Sequence, residues 1–483
     1  MVTDIESVLF DEMTSVNSQL ISLASKVKLV DNRYFVNNSG MIDEFIENIH
    51  EFLKQVDIHR RKVSSEQLNS DNLFHIYQFL DLKNLVHCCQ LVCKSWKQTL
   101  NRVNFTVKVD KSKTMIGQLV KSSLITNVTS LRMQHPTSDM FKSLSSCKKL
   151  QNLKTLDLNY SRLGKTAVKY LAKCQMPNLT ELKLNNASNF TEIEAKELFH
   201  SSSLLSNIKK LEIQHEMSKE FIEILSNSKY LKNLSHLNLK SLKMETGNYG
   251  LDLCLKDKND LERLEIRRFN LTNYPKLLTD GSFMNLTFLD IAHCSISNRE
   301  LGDLLVSPNL PKLATLHASC SSTDNSIIEL PTDIHTRSSL TDLNFSNIAS
   351  FPSLANYCTN LLKLTIIIPS IEKKSSNALI DLISSPNLSN LKRLDISCWD
   401  EIFEILFTSP NFTKLEELHS YPTDFRNTEE LLTTELILNC KTLINLRLFQ
   451  WYGMRQVTSE EGEEAFFKNP TFSKLNFDYQ EFN

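Results

Sequence analysis

A six-residue pattern of leucines and polar residues, Leu-x-x-Leu-x-Leu, recurs along most of the chain. The clear copies all begin at a leucine or isoleucine, namely Leu153, Leu179, Ile208, Leu234, Leu261, Leu286, Leu313, Leu340, Leu361, Leu391, Leu415 and Leu443. Weaker copies begin at Val128 and Phe472. Together they make about fourteen units with a mean spacing of roughly 26 residues. Since alternate side chains of a strand point to opposite sides, each copy predicts a short strand with one apolar edge.

The segments between these copies carry a helical pattern, with apolar residues at i, i+3 or i+4. This pattern is clearest at residues 165–173, 219–227, 300–306, 378–384 and 401–407. Strands that alternate with helices predict a parallel strand layer backed by a helix layer. Stacked repeats bury each other's apolar edges, and the layers curve with the strands inside because helices are wider than strands.

The repeats resemble the leucine-rich-repeat family across about the last three quarters of the chain. The resemblance implies an α/β leucine-rich-repeat horseshoe, with parallel strands inside and mostly helices outside. The family's usual Asn or Cys after the strand is present as Cys294 but is mostly replaced elsewhere, by Ser161, Ala187, Leu242, Phe269, Ile348 and Trp399. From about residue 321 to 366 no clear helical pattern is found, so the curvature is expected to change locally.

A second apolar region, residues 68–96, precedes the repeats. Its first part predicts a helix that begins at the capping-type residues 69–71. Four apolar residues share one face of that helix: Leu73, Ile76, Tyr77 and Leu80. Two further short helices are predicted, around residues 82–90 and 92–100.

This region resembles an F-box, and its most specific element is the Leu-Val-Cys-Lys-Ser-Trp stretch at residues 91–96. The positions that match the family pattern are Leu68, Asp71, Leu73, Ile76, Tyr77, Leu80, Leu85, Val92, Cys93, Lys94 and Trp96. There are two departures. Asn69 stands where the family has Pro, and one extra residue before Val92 leaves either Leu85 or Val86 for the central apolar position.

The F-box resemblance implies a three-helix hook that docks on a Skp-family adaptor and, through it, on a cullin that carries the ubiquitin-loading machinery. The side chains that it implies for adaptor contact are Leu68, Leu73, Ile76, Tyr77, Leu80, Leu85, Val92 and Trp96. A unit of about forty residues is too small to bury all of them, so some of this surface is expected to meet a partner. The alternative is a solenoid cap seated on the first repeat. Both can hold, with FTVKVD from Phe105 as the capping strand.

Three parts of the chain are therefore predicted: an N-terminal helical segment at 1–64, an F-box-like module at 65–104 and a repeat solenoid of about fourteen units at 105–483. Residues 1–56 carry helical periodicity in two segments. They predict a helical hairpin that packs against the F-box, and a dimerisation or partner-binding role remains the alternative.

Composition narrows the class of partner and the compartment. Lys and Arg total 54 against 56 Asp and Glu, which argues against a dedicated nucleic-acid binder and for a protein partner. The acidic N-terminus lacks the pattern of a signal peptide, and no apolar run is long enough to span a bilayer. We therefore expect an intracellular, cytoplasmic protein with reduced thiols. The basic residues at 59–62 leave nuclear import open as an alternative.

Two kinds of site are not expected. Neither nucleotide-cradling glycine motif is found, so no cofactor is predicted. His87, Cys88, Cys89 and Cys93 invite a zinc interpretation. The two adjacent cysteines diverge by about 100° on a helix, however, so buried structural cysteines are favoured.

Substrate contacts are expected at the inward positions of the strands. These flank the buried leucines and include Asp157, Lys183, Glu212, Asn238, Arg263, Glu265, Arg267, Asp290, His317, Asp395, His419 and Arg447. Arg263, Arg267 and Arg268 form the strongest basic cluster, suited to an acidic or phosphorylated segment. Three C-terminal aromatic residues are either interface anchors or core residues of the last repeats: Tyr421, Phe449 and Trp451.

These expectations combine into a non-catalytic substrate-recognition subunit of an SCF-type ubiquitin ligase. The F-box resemblance supplies the adaptor contact, and the repeats are expected to hold a protein substrate. The alternative is a leucine-rich-repeat scaffold outside the ligase system, or a GTPase-regulating repeat protein, with residues 65–104 as the solenoid cap.

Overall fold

The computed structural model describes residues 104–109, 113–242, 251–256, 258–271, 283–319, 330, 339–345, 354–357, 359–366, 373–398, 400–422, 433–452 and 460–480. The chain divides into two compact units, Met1–Thr180 and Glu181–Asn483. The predicted N-terminal helical segment and the F-box-like module up to residue 103 lie outside the described residues.

The described part of the first unit contains three parallel strands. They are β1 (Phe105–Val109), β2 (Val128–Met133) and β3 (Thr155–Asp157). The helices are α1 (Lys113–Lys121), α2 (Ser138–Ser145) and α3 (Lys165–Leu171). In register, Val107 lies opposite Leu131, which in turn lies opposite Leu156. The FTVKVD segment, predicted to be the capping strand, forms β1 and pairs with β2.

The described part of the second unit repeats the same order of strand and helix. Its strands are β4 (Glu181–Asn185), β5 (Lys210–His215), β6 (His236–Ser241), β7 (Arg263–Arg267), β8 (Phe288–Asp290), β9 (Thr315–Ala318), β10 (Asp342–Phe345), β11 (Lys363–Ile366), β12 (Arg393–Cys398), β13 (Glu417–Pro422), β14 (Leu448–Tyr452) and β15 (Asn476–Gln480). Each strand pairs in parallel with the next. This is the predicted α/β leucine-rich-repeat solenoid architecture.

The helices of the second unit lie between consecutive strands. They are α4 (Glu192–Ser201), α5 (Lys219–Ser226), α6 (Leu251–Leu255), α7 (Asn298–Val306), α8 (Leu354–Tyr357), α9 (Lys373–Ile383), α10 (Asp400–Thr408), α11 (Thr434–Asn439) and α12 (Glu460–Lys468). All five helices predicted from apolar periodicity are present, α3 in the first unit and four here. Short 3₁₀ turns at 203–205, 229–231, 386–388, 410–412 and 470–472 lead from helices back toward strands.

The motif leucines form the core between the strand and helix layers. Along β6, buried Leu237 and Leu239 alternate with half-buried Asn238 and Lys240. The helices contribute their apolar faces. On α10, for example, the Phe403 ring packs edge-on against Phe449 of β14, with the ring centres 6.3 Å apart. Burying an aromatic or leucine side chain contributes roughly 1.5–3 kcal/mol, so this shared layer is the main stabilising feature of each repeat.

An asparagine directly before the first motif leucine links successive repeats. Its side-chain amide donates to a backbone carbonyl two residues before the corresponding leucine of the preceding repeat. The donor and acceptor pairs are Asn152 with Thr126, Asn178 with Gln151, Asn285 with Asn259, Asn390 with Thr359 and Asn445 with Thr413, at 2.6–3.5 Å. These bonds lie at exposed or part-buried turns, where an intramolecular hydrogen bond contributes about 0.5–1.5 kcal/mol, so they stabilise the turns that lead into the strands.

The turn after the strand uses a similar device only in some repeats. The Ser161 hydroxyl donates to the Met133 carbonyl at 3.0 Å, and the Cys294 thiol donates to the Ile266 carbonyl at 3.1 Å. Ala187 and Phe269, which occupy the corresponding positions in other repeats, are buried apolar residues. The asparagine that the family usually has after the strand is therefore compensated in part by the asparagines before it.

The predicted start of the copy at Leu443 is wrong, because it lies three residues before the start that the strand pairing shows. Phe449 lies opposite the motif leucine Leu418. The first motif leucine of this repeat is therefore Leu446, whose preceding Asn445 makes the inter-repeat bond. Leu443 and Leu446 are both fully buried. The copy at Leu443 fits the leucine pattern strictly, whereas the copy at Leu446 has Phe449 and Trp451 in place of its second and third leucines, so the pattern favoured the wrong start.

Candidate functional site

One side chain per repeat, between the second and third motif positions, forms a row across the strand face of the second unit. We call this the central row, and its members in register are Lys183, Glu212, Asn238, Glu265, Asp290, His317, Asn344, Thr365, Asp395, His419 and Gln450. Neighbouring strands are about 4.8 Å apart, so successive members can contact each other. Arg447, which we expected in this row, precedes β14, and Gln450 takes its place.

The first members of the row form a compensated group of charges on β4 and β5. The Lys183 ammonium lies 2.8 Å from the Glu212 carboxylate and 3.2 Å from Glu181. Asn185 donates to the other Glu212 oxygen at 3.2 Å. Burial alone would lower the pKa of Lys183, but the hydrogen bonds to Glu212 and Glu181 outweigh it and raise that pKa. The ion pairs hold these side chains in fixed positions, with one ammonium between two carboxylates.

The predicted basic cluster on β7 is largely neutralised by carboxylates. The Arg263 guanidinium donates to Glu265 at 2.8 Å. Arg267 donates to the buried Asp290 carboxylate of β8 at 3.0 Å and lies 4.0 Å from Glu265. Arg268, in the turn after β7, is exposed and donates to the Leu242 carbonyl at 3.3 Å. The three arginines therefore differ: two are paired, and one makes its bond to the backbone.

Phe288 brings an aromatic ring to the strand face among these charges. The Arg263 guanidinium carbon lies 3.4 Å from the centre of the Phe288 ring, and the His317 ring packs against it edge-on at 5.2 Å. An arginine and an aromatic residue held together in this way are typical of interface anchors. Sequence reasoning missed Phe288. The signal was available, since Phe288 stands in the LTFLDI copy where other repeats carry polar residues.

His317 lies between two carboxylates from neighbouring strands. Its Nδ1 is 3.8 Å from Asp290 on β8 and its Nε2 is 3.9 Å from Asp342 on β10. Asp290 and then Asp342 raise the pKa of His317 to about 9, against the opposing effect of burial. Burial alone would raise the pKa of Asp290, but His317 and Arg267 outweigh it and lower that pKa to about 2. The imidazole is therefore a cation at neutral pH.

A second group of charges follows on β11–β13. Arg393 donates to Asp395 at 3.0 Å and to Glu417 at 3.0 Å, and Thr365 donates to Asp395 at 3.1 Å. His419 lies 3.8 Å from Asp395 and 3.7 Å from Glu417. Burial lowers the pKa of His419, opposite to the shift of His317. The two histidines of the row thus have different charges at neutral pH.

The three predicted aromatic anchors have different outcomes. Phe449 is fully buried and packs against Phe403 and Phe466, so it closes the core of the last repeats and offers no surface to a partner. Tyr421 lies half-buried on the strand face of β13. Trp451 belongs to β14, opposite Ser420, and its role as an anchor stays a prediction.

The residues predicted to contact an adaptor all lie outside the described part of the chain: Leu68, Leu73, Ile76, Tyr77, Leu80, Leu85, Val92 and Trp96. The His87 and cysteine group lies outside it as well. Among the residues that are described, no cluster of histidine, cysteine and acidic side chains is arranged to hold a metal ion. Over the same residues, no helix combines the length and apolar character needed to cross a membrane.

Comparison with known proteins identifies a domain at the N-terminal side of the repeats. Residues 65–108 match the F-box domain. Comparison with curated proteins gave no significant match. Among solved structures, the chain is similar to an internalin (inlF) of Listeria monocytogenes, at 17% identity over 80% of this chain and 89% of that chain, with a TM-score of 0.39. It is also similar to a chain of the yeast Rad7 and Elc1 complex, at 14% identity over 93% of this chain and 98% of that chain, with a TM-score of 0.41.

The F-box match ends within β1, so no linker separates it in sequence from the first strand. The leucine-rich-repeat assignment rests on the strand pairing and core of the chain itself. The chain thus combines a match to the F-box domain with a leucine-rich-repeat array that follows it.

Proposed function

We propose that this F-box leucine-rich-repeat protein is the substrate-recognition subunit of an SCF-type ubiquitin ligase. Residues 65–104 dock on a Skp-family adaptor and, through it, on a cullin. The repeats hold a protein substrate on their strand face. The observation that carries the proposal is the F-box match at residues 65–108, placed directly before the repeat array.

The composition of the central row supports a protein substrate. Charges of both signs occur in and beside the row and are paired with each other, as in Lys183 with Glu212 and Arg393 with Asp395. A nucleic-acid surface would instead need an uninterrupted positive stripe. Paired charges keep their side chains in fixed positions, and pre-ordered side chains lose less entropy when a partner binds.

The contribution of this subunit to ubiquitin transfer is proximity. Holding the substrate beside the loaded ubiquitin raises its effective concentration, and this needs no acid, base or nucleophile on the receptor. The residues proposed for adaptor contact are the apolar matches of the F-box pattern, with Trp96 as the largest side chain and Leu80 as the last apolar residue on the face of the first predicted helix.

Co-expression with a Skp-family adaptor followed by size-exclusion chromatography tests the proposal. We expect wild type to co-elute with the adaptor and Trp96→Ala to lose it, because the variant removes the largest apolar side chain of the matched pattern. Phe467→Ala is the matched control, since Phe467 is an exposed aromatic residue on α12, in the last repeat. A soluble wild-type protein that elutes without the adaptor would favour the scaffold with residues 65–104 as a cap.

A further inference from the structure

Basic side chains outnumber carboxylates on two neighbouring strands of the second unit. β6, β7 and the turn after β7 carry Lys240, Arg263, Arg267 and Arg268 on the strand face and its edge, with Glu265 as the carboxylate between them. We call these four residues the β6–β7 basic patch. Lys240 lies directly opposite Arg267 in register, so the patch is continuous across the two strands.

The carboxylates next to the patch are already used. Glu265 accepts from Asn238 at 2.8 Å and from Arg263 at 2.8 Å, and Asp290 accepts from Arg267. Within the described part of the chain, no carboxylate pairs with Lys240 or Arg268. Among the described residues, Lys240 and Arg268 at the end of the patch are therefore left without a carboxylate partner.

Arg268 occupies a turn conformation that recurs after several strands. Its φ is 63°, in the left-handed region that glycine and asparagine tolerate best. Tyr160, Asn186 and His293 occupy the corresponding turns at φ 59°, 54° and 61°. The turn therefore does not require an arginine, and asparagine is a substitution that preserves the turn while removing the charge.

The spacing of these charges suits an extended peptide. Lys240 and Arg268 are one strand and one residue apart, which places their Cα atoms about 6 Å from each other. Alternate residues of an extended chain are separated by roughly the same distance, about 6.6 Å. Two anionic residues at positions i and i+2 can therefore reach both cations from one side of the segment.

Phe288 provides an apolar contact beyond the patch. It lies opposite Arg263 on the next strand, with its ring stacked under the Arg263 guanidinium. From Arg268, this ring is one strand and five residues away, which an extended segment covers in about five residues. From Lys240 to Arg268 the register moves one strand over and one residue forward, whereas from Arg268 to Phe288 it moves one strand further and five residues back. A segment that contacts all three therefore turns between its acidic pair and its apolar residue.

We propose that the β6–β7 basic patch and Phe288 bind an anionic segment of a protein partner, with acidic groups at i and i+2 facing Lys240 and Arg268, a turn after this pair, and an apolar side chain about five residues away on Phe288. The inference rests on the proposed function, which makes the strand face the substrate surface. The acidic groups of the bound segment are carboxylates or phosphates, since both pair with lysine and arginine in the same way.

Fluorescence anisotropy with the full-length protein tests this proposal. The probes are labelled ten-residue peptides that share a leucine five residues beyond the charged pair and differ in that pair: Glu-Ser-Glu, its doubly phosphorylated counterpart with phosphoserine in place of each Glu, and Lys-Ser-Lys. We expect the two anionic peptides to bind and the cationic one not to. Tighter binding of the phosphorylated peptide would identify phosphates as the acidic groups of the natural segment. Equal or weaker binding of that peptide would identify carboxylates.

Variants assign the binding to the patch. We expect Lys240→Gln and Arg268→Asn each to lower affinity several-fold and the double variant about tenfold, with a weaker dependence on salt, because each variant removes one charge pair. Phe288→Ala should lower affinity without changing the salt dependence. Lys232→Gln, an exposed lysine just before β6, is the control and should bind as wild type.

Thermal unfolding separates a binding role from a structural one. Arg268→Asn should unfold at the same temperature as wild type or higher, while its peptide affinity falls. A lower unfolding temperature would show that the arginine serves the turn and would overturn its role. Wild-type affinity in the double variant, equal binding of the Lys-Ser-Lys peptide, or equal binding of a ten-nucleotide oligothymidine would overturn the proposal. Adaptor capture by the double variant should be unchanged. A failure of the peptide-binding proposal is therefore distinguishable from a failure of the ligase proposal.

Discussion

At the scale of single residues, neighbours on adjacent strands decide what a side chain does. His317 and His419 occupy the same position of their repeats, yet their pKa values shift in opposite directions. His317 lies between Asp290 and Asp342, whereas His419 is almost fully buried and shares its carboxylates with Arg393. The charge of a central-row residue is therefore a property of three strands together.

The raised pKa of His317 predicts that stability falls as pH rises. Between its unfolded pKa near 6.5 and its folded pKa of about 9, the folded state binds a proton that the unfolded state has lost. The stabilisation is complete below pH 6.5 and decreases toward pH 9. At about 1.36 kcal/mol per pKa unit, we expect wild type to lose about 1 to 2 kcal/mol of unfolding free energy between pH 6.5 and 8.5.

Denaturant unfolding at pH 6.5, 7.5 and 8.5 measures this loss. Thiols of the unfolded chain also begin to ionise toward pH 8.5, while burial raises the pKa of the folded Cys294 thiol to about 12, so the contribution of His317 is the difference in this loss between wild type and His317→Asn. His317→Asn should flatten the dependence, and His293→Asn, at an exposed histidine, should keep it. The same slope in both variants would mean that another group is responsible.

Burial also separates two phenylalanines that the sequence does not distinguish. Phe449→Ala should cost about 3 kcal/mol, because it removes a fully buried ring that packs on Phe403 and Phe466. Phe467→Ala should change stability by less than about 0.5 kcal/mol, because its side chain is 87% exposed. Urea unfolding of the two variants gives both values. Equal effects would contradict the register that places Phe449 in the core.

At the scale of elements, strands and helices were predictable because each shows its own apolar period. α5 and α10 fall where the i, i+3 and i+4 pattern placed them, and each strand from β2 to β13 overlaps its predicted copy. β14 was misplaced because its own copy, from Leu446, has Phe449 and Trp451 in place of two leucines, while Leu443 begins a strict leucine pattern. The pairing of Arg263 and Arg267 was not predictable, since it depends on which strands are neighbours and how far apart their side chains lie.

The hydrogen bond from the asparagine before the strand can be tested with the same position of another repeat as control. Asn445→Ala should destabilise the protein by about 1 kcal/mol, because it leaves the part-buried Thr413 carbonyl without its 2.7 Å bond. Asn233→Ala should have an effect below about 0.5 kcal/mol. Asn233 stands at the same position before Leu234 but is exposed, and no bond of its amide is found among the described residues. The denaturation midpoints of the two variants provide the comparison, and equal midpoints would rule out this role.

At the scale of the whole molecule, the chain combines a short F-box match with a long repeat array. The match covers residues 65–108, and the repeats supply a strand face with a row of paired charges and one basic patch. The two parts have different tasks in the proposed function: one holds the ligase and the other holds the substrate. A change in one part should therefore leave the task of the other intact.

The central claim is that this chain joins a ubiquitin ligase through its F-box. The most direct measurement is affinity purification of the tagged chain from cells, quantifying a Skp-family adaptor and a cullin in the eluate for wild type, Leu80→Asp and Leu438→Asp. The last variant places the same charge at an exposed leucine of α11. We predict that wild type and Leu438→Asp recover both proteins, while Leu80→Asp recovers neither and keeps the wild-type unfolding temperature. Equal recovery with a folded Leu80→Asp protein, or no recovery with wild type, would contradict the account.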